Sequence, residues 1–346
     1  MKANGAGGGR VTIRDVAAAA GVSVTTVSDA LNGKGKLRQE TRDRIRRTAD
    51  SLGYRPSRVA QAFRHGRTGT IALVLPHRDV SGNEYDMIGL DYYMTIASGS
   101  ARAAFSEGYA VMLTPRISTA DEWRLIGPDG VVLCDPAAGD PRIDLLEGMG
   151  IPVVSIERDP DRPERPFYVS GDNDRNMRDL LDHLHGQGAR RIALLSARST
   201  WAWTLEGTQA YESWCAGHGL RPFVAQVSVD RLEADSYRAA CALLDADEPP
   251  DALIASAEQY SEGATRACRE RGIRVPEDLL LAIGIDNRFA QQSDPPITAI
   301  DLRPADQAGA AVEMLLRRLN GERVDQPTLV PSRLRVRAST VRRGVG

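Results

Sequence analysis

Two carboxylates in this chain stand where their chemistry can be stated before any fold is known. Asp29 lies inside VSVTTVSDALNGKGK, residues 22–36, in the most basic part of the sequence. Beside a nucleic acid such a group is repelled by phosphate, yet it can accept a hydrogen bond from the amino group that cytosine exposes in the major groove. An internal pair with a neighbouring arginine, which would only orient its helix, is the other reading. Asp286, in AIGIDN, is a short acceptor-only group able to take two hydroxyl donors at once, as polyol recognition requires, and Asn287 beside it could assist. Trp201 and Trp203, in STWAWTLEG, offer aromatic faces that either stack on a ligand ring or simply pack.

The charge distribution says which of these chemistries belongs where. Residues 1–68 hold 14 Lys and Arg against 5 Asp and Glu, a balance of +9, and the remaining 278 residues hold 30 against 41, a balance of −11. A basic head before a larger acidic body is the footprint of a nucleic-acid-binding module joined to a unit with another task. Enzymatic readings are weak: there is no GxSxG elbow, P-loop or HExxH, and the five histidines have no metal spacing. Asp286 and Glu258 are the one carboxylate pair to consider for hydrolysis, and catalysis is not expected of them. Cys134, Cys215, Cys241 and Cys268 are scattered, without CxxC, and read as reduced core residues of a cytoplasmic protein. No cofactor or metal is expected. No window approaches the roughly 18 apolar residues of a membrane span, so no membrane partner is expected either. MKANGAGGGR, residues 1–10, reads as a flexible lead-in with no secretory signal.

The elements that must carry these residues follow from caps and periodicity. In VTIRDVAAAAGVSVTTVSDALNG, Thr12 caps a helix whose Asp15 complements the first-turn amides, and Ile13, Val16, Ala17 and Ala20 fall on one face. Gly21 supplies a tight turn, Ser23 caps a second helix from Val24 to about Asn32, and Gly33 ends it. Two short helices joined this way form a helix-turn-helix, the second placed for the major groove. A third helix, ETRDRIRRTADSLGY, packs Ile45, Ala49 and Leu52 against the pair. From Thr70 onward, short β-branched runs (TIALVLP, YAVMLT, DGVVLC, IPVVSIE, RRIALLS, DALIAS, LLLAIGI) alternate with helix-length segments, which indicates parallel α/β sheets. About ten such units exceed one small sheet, so two lobes with a ligand cleft between them are expected.

Residues 11–76 resemble the LacI/GalR, or lactose-repressor, family of transcription regulators. The likeness is carried by VTIRDVAAAAGVS, TVSDALNG, ETRDRI, LGYRPS, RVAQAF and GTIALVLP, and continues through GIPVVSIERD, GARRIALLS, RGIRVPEDLLLAIGIDN, DPPITAIDLRP and LRVRAST. It implies an all-α helix-turn-helix headpiece (11–56) and a hinge helix with linker (57–68), followed by a two-lobed periplasmic-binding-protein-like α/β core (69–346). The lobes would comprise about 69–168 with 297–326, and 169–296 with 327–346. It implies a cytoplasmic homodimer in which each headpiece reads half of a near-palindromic, double-stranded operator. By the same resemblance Val24, Thr25 and Asp29 match base-contacting positions, and Ser23, Thr26, Ser28, Asn32, Thr41 and Tyr54 match phosphate contacts. The run from Arg58 to Arg64 matches the hinge helix, with Arg58 at a phosphate and Ala60 and Phe63 in the minor groove. Phe63 replaces the usual leucine lever, and its ring either wedges between base steps or packs in a dimer interface.

The core departs further from the family. Asp286 matches a sugar-hydroxyl acceptor, but Thr204 stands where a sugar-binding arginine is expected, and Ala257 replaces an asparagine. Three possibilities follow: a sugar effector held in an unusual way by Asp286, Asn287, Trp201 and Trp203; another small molecule; or no effector. Repression is the commoner family behaviour. A small-molecule-binding or sensor protein without operator-specific regulation is the alternative.

Overall fold

A threonine followed three residues later by an acid starts the first described helix. The computed structural model describes residues 11–31, 35, 37–54, 67–76, 90–115, 117–228 and 232–342, in two units that divide between Gly69 and Thr70. The first contains α1 (Ile13–Ala20), α2 (Val24–Leu31) and α3 (Gln39–Ser51). The Asp15 carboxylate accepts from the Thr12 amide at 2.8 Å and the Thr12 hydroxyl at 2.7 Å, which holds its pKa below the usual carboxylate range. Gly21, left-handed at φ 63°, closes α1, and the Ser23 hydroxyl accepts from the Thr26 amide at 3.1 Å to start α2. Val16, Ala17, Ala20, Val27, Ala30, Ile45 and Ala49 form the core of this unit. Leu52, expected to join them, is instead 37% exposed: it lies just past the last turn of α3, where the packed helix face has ended.

The second unit holds two six-stranded sheets. The first runs in the order β11 (Thr328–Leu329), β5 (Tyr168–Ser170), β4 (Val153–Ile156), β3 (Gly130–Cys134), β1 (Thr70–Val74), β2 (Ala110–Thr114). The second runs β12 (Arg333–Arg335), β10 (Thr298–Asp301), β9 (Leu280–Ile283), β8 (Ala252–Ala255), β6 (Ile192–Ala197), β7 (Phe223–Val227). All pairings are parallel except the edge pair of β10 with β12. Side chains alternate across each strand, so both sheet faces are covered. Ile71 and Leu73 join a cluster with α4 (Leu90–Ser106) and α12 (Pro304–Leu319), whereas Ala72 and Val74 pack with Trp123 of α5 (Ala120–Ile126) and Leu146 of α6 (Pro141–Gly148). The second sheet is covered likewise, by α7 (Asn173–Gly186) and α8 (Ala202–Gly217) on one face and by α9 (Leu232–Leu244) and α10 (Glu258–Glu270) on the other.

The chain passes between the sheets three times: after β5, after β10 and after β11. This corrects the lobe limits read from sequence. Thr298–Asp301, expected with the first lobe, is a strand of the second sheet, and Thr328–Leu329, expected with the second lobe, edges the first. The seven strands read from apolar runs are all present. The others are short or partly exposed, and β11, with two exposed residues, has no apolar signal to read.

Candidate functional site

The start of α2 presents Val24, 38% exposed, and the exposed Thr25. Thr26 exchanges a hydroxyl hydrogen bond of 2.8 Å with Ser23. Asp29 is half-buried and its carboxylate lies against Gly35: a Cβ on that glycine, which is left-handed at φ 75°, would come within 3.2 Å of Asp29 Oδ2. Among the described residues no arginine pairs with Asp29, and Arg42 instead donates to the Gly35 carbonyl at 3.4 Å. Thr41 and Tyr54 are half-buried. Ser28, also expected at a phosphate, is 5% exposed. Asn32, Arg58, Ala60 and Phe63 lie outside the described residues.

In the second unit a cavity, partly open to solvent, lies between the two sheets. It sits beyond the carboxyl ends of their strands, where open α/β sheets bind ligands. Asp135 and Glu157 follow β3 and β4 directly, both left-handed at φ 45° and 70°, and both reach the cavity wall while almost fully buried. Burial pushes the Asp135 pKa up to about 6 against the opposing pull of its bond from the Tyr93 hydroxyl. Burial, with Asp135 as a second cause, pushes Glu157 up to about 8. Asn173, at the start of α7, donates through Nδ2 to Glu157 at 2.9 Å and to Glu206 of α8 at 2.8 Å. Glu206 also pairs with Arg158. These bonds join residues carried by the two lobes, so the polar wall of the cleft spans both. Asn176 Nδ2, on the same wall, is buried without a hydrogen-bond partner.

Asp286 is not on this wall. Both its oxygens accept from Arg337, from Nη1 and Nη2 at 2.8 Å each, and the adjoining wall is made by Gly284 and Ile285. Asn287 is buried as the N-cap of α11 (Arg288–Gln292), its Oδ1 accepting from the Ala290 amide at 2.8 Å. Trp203 does line the cavity. Trp201 stacks on it, with centroids 5.7 Å apart at 24°, and lines an adjoining recess that shares Asp135 as a wall. Thr204 is buried, its hydroxyl bonded to Ser199 at 2.9 Å.

Comparison with known proteins shows what this pair of units is. Residues 12–57 match the model of bacterial regulatory proteins of the lacI family, and residues 181–340 match the periplasmic binding protein-like domain. The HTH-type transcriptional regulator CelR of Thermobifida fusca is 32% identical over 330 residues, covering 93% of this chain and 95% of that protein. This chain belongs to the LacI family. Catabolite control protein A of Priestia megaterium is a further relative, 27% identical over 350 residues, covering 95% of this chain and 99% of that protein. Among solved structures, the CelR–cellobiose complex is similar with a TM-score of 0.68 at 28% identity, covering 95% of this chain and 100% of that one. The Lac repressor dimer bound to operator and the anti-inducer ONPF shares the fold, with a TM-score of 0.76 at 20% identity over 96% and 100% of the two chains.

This LacI-family protein is therefore a DNA-binding transcriptional regulator, and none of its described helices is long and apolar enough to cross a membrane. Of the four residues expected in its effector cleft, the structure brings only Trp203 to the main cavity and Trp201 to the recess beside it. Sequence reasoning passed over Tyr92, Tyr93, Asp135, Glu157 and Asn173. A signal was present for two of them: VVLCD and VVSIE each end a buried strand run on an acid, at the strand end where such sheets bind ligands.

Proposed function

We propose that this LacI-family regulator acts as a homodimer on a near-palindromic operator, as a repressor whose affinity is set by a sugar effector in the interlobe cleft. The observation that carries the regulatory part is that Asn173 bridges acids of both lobes at the cavity wall. A ligand there touches groups whose spacing changes with lobe angle, which is what a differential affinity for two states requires. A sugar is supported by the ring face of Trp203 and by the cellobiose that CelR carries in its solved complex. On the DNA side, Val24, Thr25 and Asp29 read bases, with Ala60 and Phe63 of the hinge segment in the minor groove. Direct readout by Asp29 is favoured because no described arginine occupies its carboxylate.

Selection of binding sites from a randomised half-site, by the wild type and Asp29→Asn at two salt concentrations, tests this. Phosphate contacts by Lys and Arg release counterions, so affinity falls steeply with salt. The variant should shift preference at one base pair, by about 1–3 kcal/mol, because an amide both donates and accepts and suits adenine. Identical preferences would remove Asp29 from base reading, and a flat salt response would remove operator binding by the headpiece.

A further inference from the structure

We propose that the interlobe cleft is built for a sugar bearing a protonated amine, an amino sugar instead of a neutral or acidic one. The proposal rests on the reading that the cleft holds a sugar effector, and comes from the hydrogen-bonding inventory of the wall. Asp135 and Glu157 are both more than nine-tenths buried at the cavity. Their side-chain donors are one hydroxyl, that of Tyr93, and one amide group, that of Asn173, which is shared with Glu206. Among the described residues no Lys, Arg or His lines the cavity. The nearby arginines are engaged: Arg158 with Glu206, and Arg142, in the adjoining recess, with Asp140 through Nε and Nη2. The chain's three lysines, Lys2, Lys34 and Lys36, all precede the second unit.

The wall thus offers negative charge on Asp135, and on Glu157 a proton that a neighbouring cation would draw off, so that both carboxylates then act as acceptors. A hydroxyl brings one donor and two lone pairs, whereas an ammonium brings three donors and no lone pair. It also supplies the opposite charge that a buried carboxylate otherwise lacks. The remaining features call for a polyol frame around that amine. Asn176 Nδ2 is a buried donor with no partner, on a side chain 8% exposed, and it matches a ring or hydroxyl oxygen. The Trp203 ring, on the cavity wall, matches the C–H face of a pyranose.

The test is calorimetric titration of the full chain at pH 7 with three β-1,4-linked dimers: cellobiose, its 2-amino counterpart (the glucosamine dimer), and the N-acetylated form of that amine. The glucosamine dimer should bind about tenfold or more tightly than cellobiose, and acetylation, which adds bulk while removing the charge, should abolish the advantage. Asp135→Asn should narrow the gap between the first two ligands, and Glu157→Gln provides the same check should the first variant fold poorly. Cellobiose binding as tightly as the amine would overturn this inference and leave a sugar effector standing. Binding of none of the three at millimolar concentration would overturn both.

Discussion

The headpiece and the core treat charge in opposite ways. The first unit, net positive in sequence, exposes Arg14, Arg44, Arg46 and Arg47 on its described helices, around a core of seven small side chains, none larger than isoleucine. The second is net acidic and rests on four buried apolar clusters, and it hides carboxylates within them at the cleft. A small core has little free energy to spare, so the first unit relies on caps, each about 1 kcal/mol. A large core can tolerate the cost of two desolvated acids. Groups that meet phosphate must stay hydrated and reachable, whereas groups that select a small ligand act more strongly where water is scarce.

The sharpest way to break this contrast is the Asp286–Arg337 pair, with side chains 11% and 19% exposed. Asp286→Ala strands a guanidinium in the core and should cost about 3–5 kcal/mol. All four tryptophans lie beyond residue 122, so their fluorescence in a denaturant titration reports the core alone. A loss below about 1 kcal/mol would mean that the pair is solvated and that the core bears less buried charge than described.

A pH series sharpens the comparison next. For Glu157 the folded pKa, about 8, lies above the ordinary 4.5, so the folded state binds more protons than the unfolded one between those values. Stability is then fully present below about pH 4.5, falls as pH rises, and levels off above about pH 8. Glu157→Gln should match the wild type near pH 4.5 and be more stable by roughly 1–3 kcal/mol at pH 8.5. A gap that does not change with pH would show that the carboxyl is not held protonated by burial.

The smallest effect belongs to the headpiece. Thr12→Ala removes the hydroxyl that donates to Asp15 at 2.7 Å and should lower protection of the α1 amides in hydrogen exchange by about 1 kcal/mol, with core amides unchanged. Equal protection in wild type and variant would mean that packing of Val16 and Ala20, and not the cap, sets the stability of α1.

Much of the helix-turn-helix was legible in the sequence, because each of its signals acts within about one turn. Thr12 with Asp15, Gly21, and Ser23 with Thr26 start and stop helices by bonds to neighbours three to five positions away. Strands with both faces buried were legible too, since β-branched runs between Gly, Pro and Asp have few other places to go. What only tertiary structure decided is where the chain crosses between sheets and which polar groups meet. Arg337 takes both oxygens of Asp286 across 51 residues, which turned an expected ligand acceptor into a structural pair. Tyr93 meets Asp135 across 42 residues, and Asn173 joins Glu157 to Glu206 across 16 and 33. No local rule encodes such meetings. Propensity and capping are energies of neighbouring backbone, whereas the partner of a buried carboxylate is whichever donor the packed sheets bring within about 3 Å.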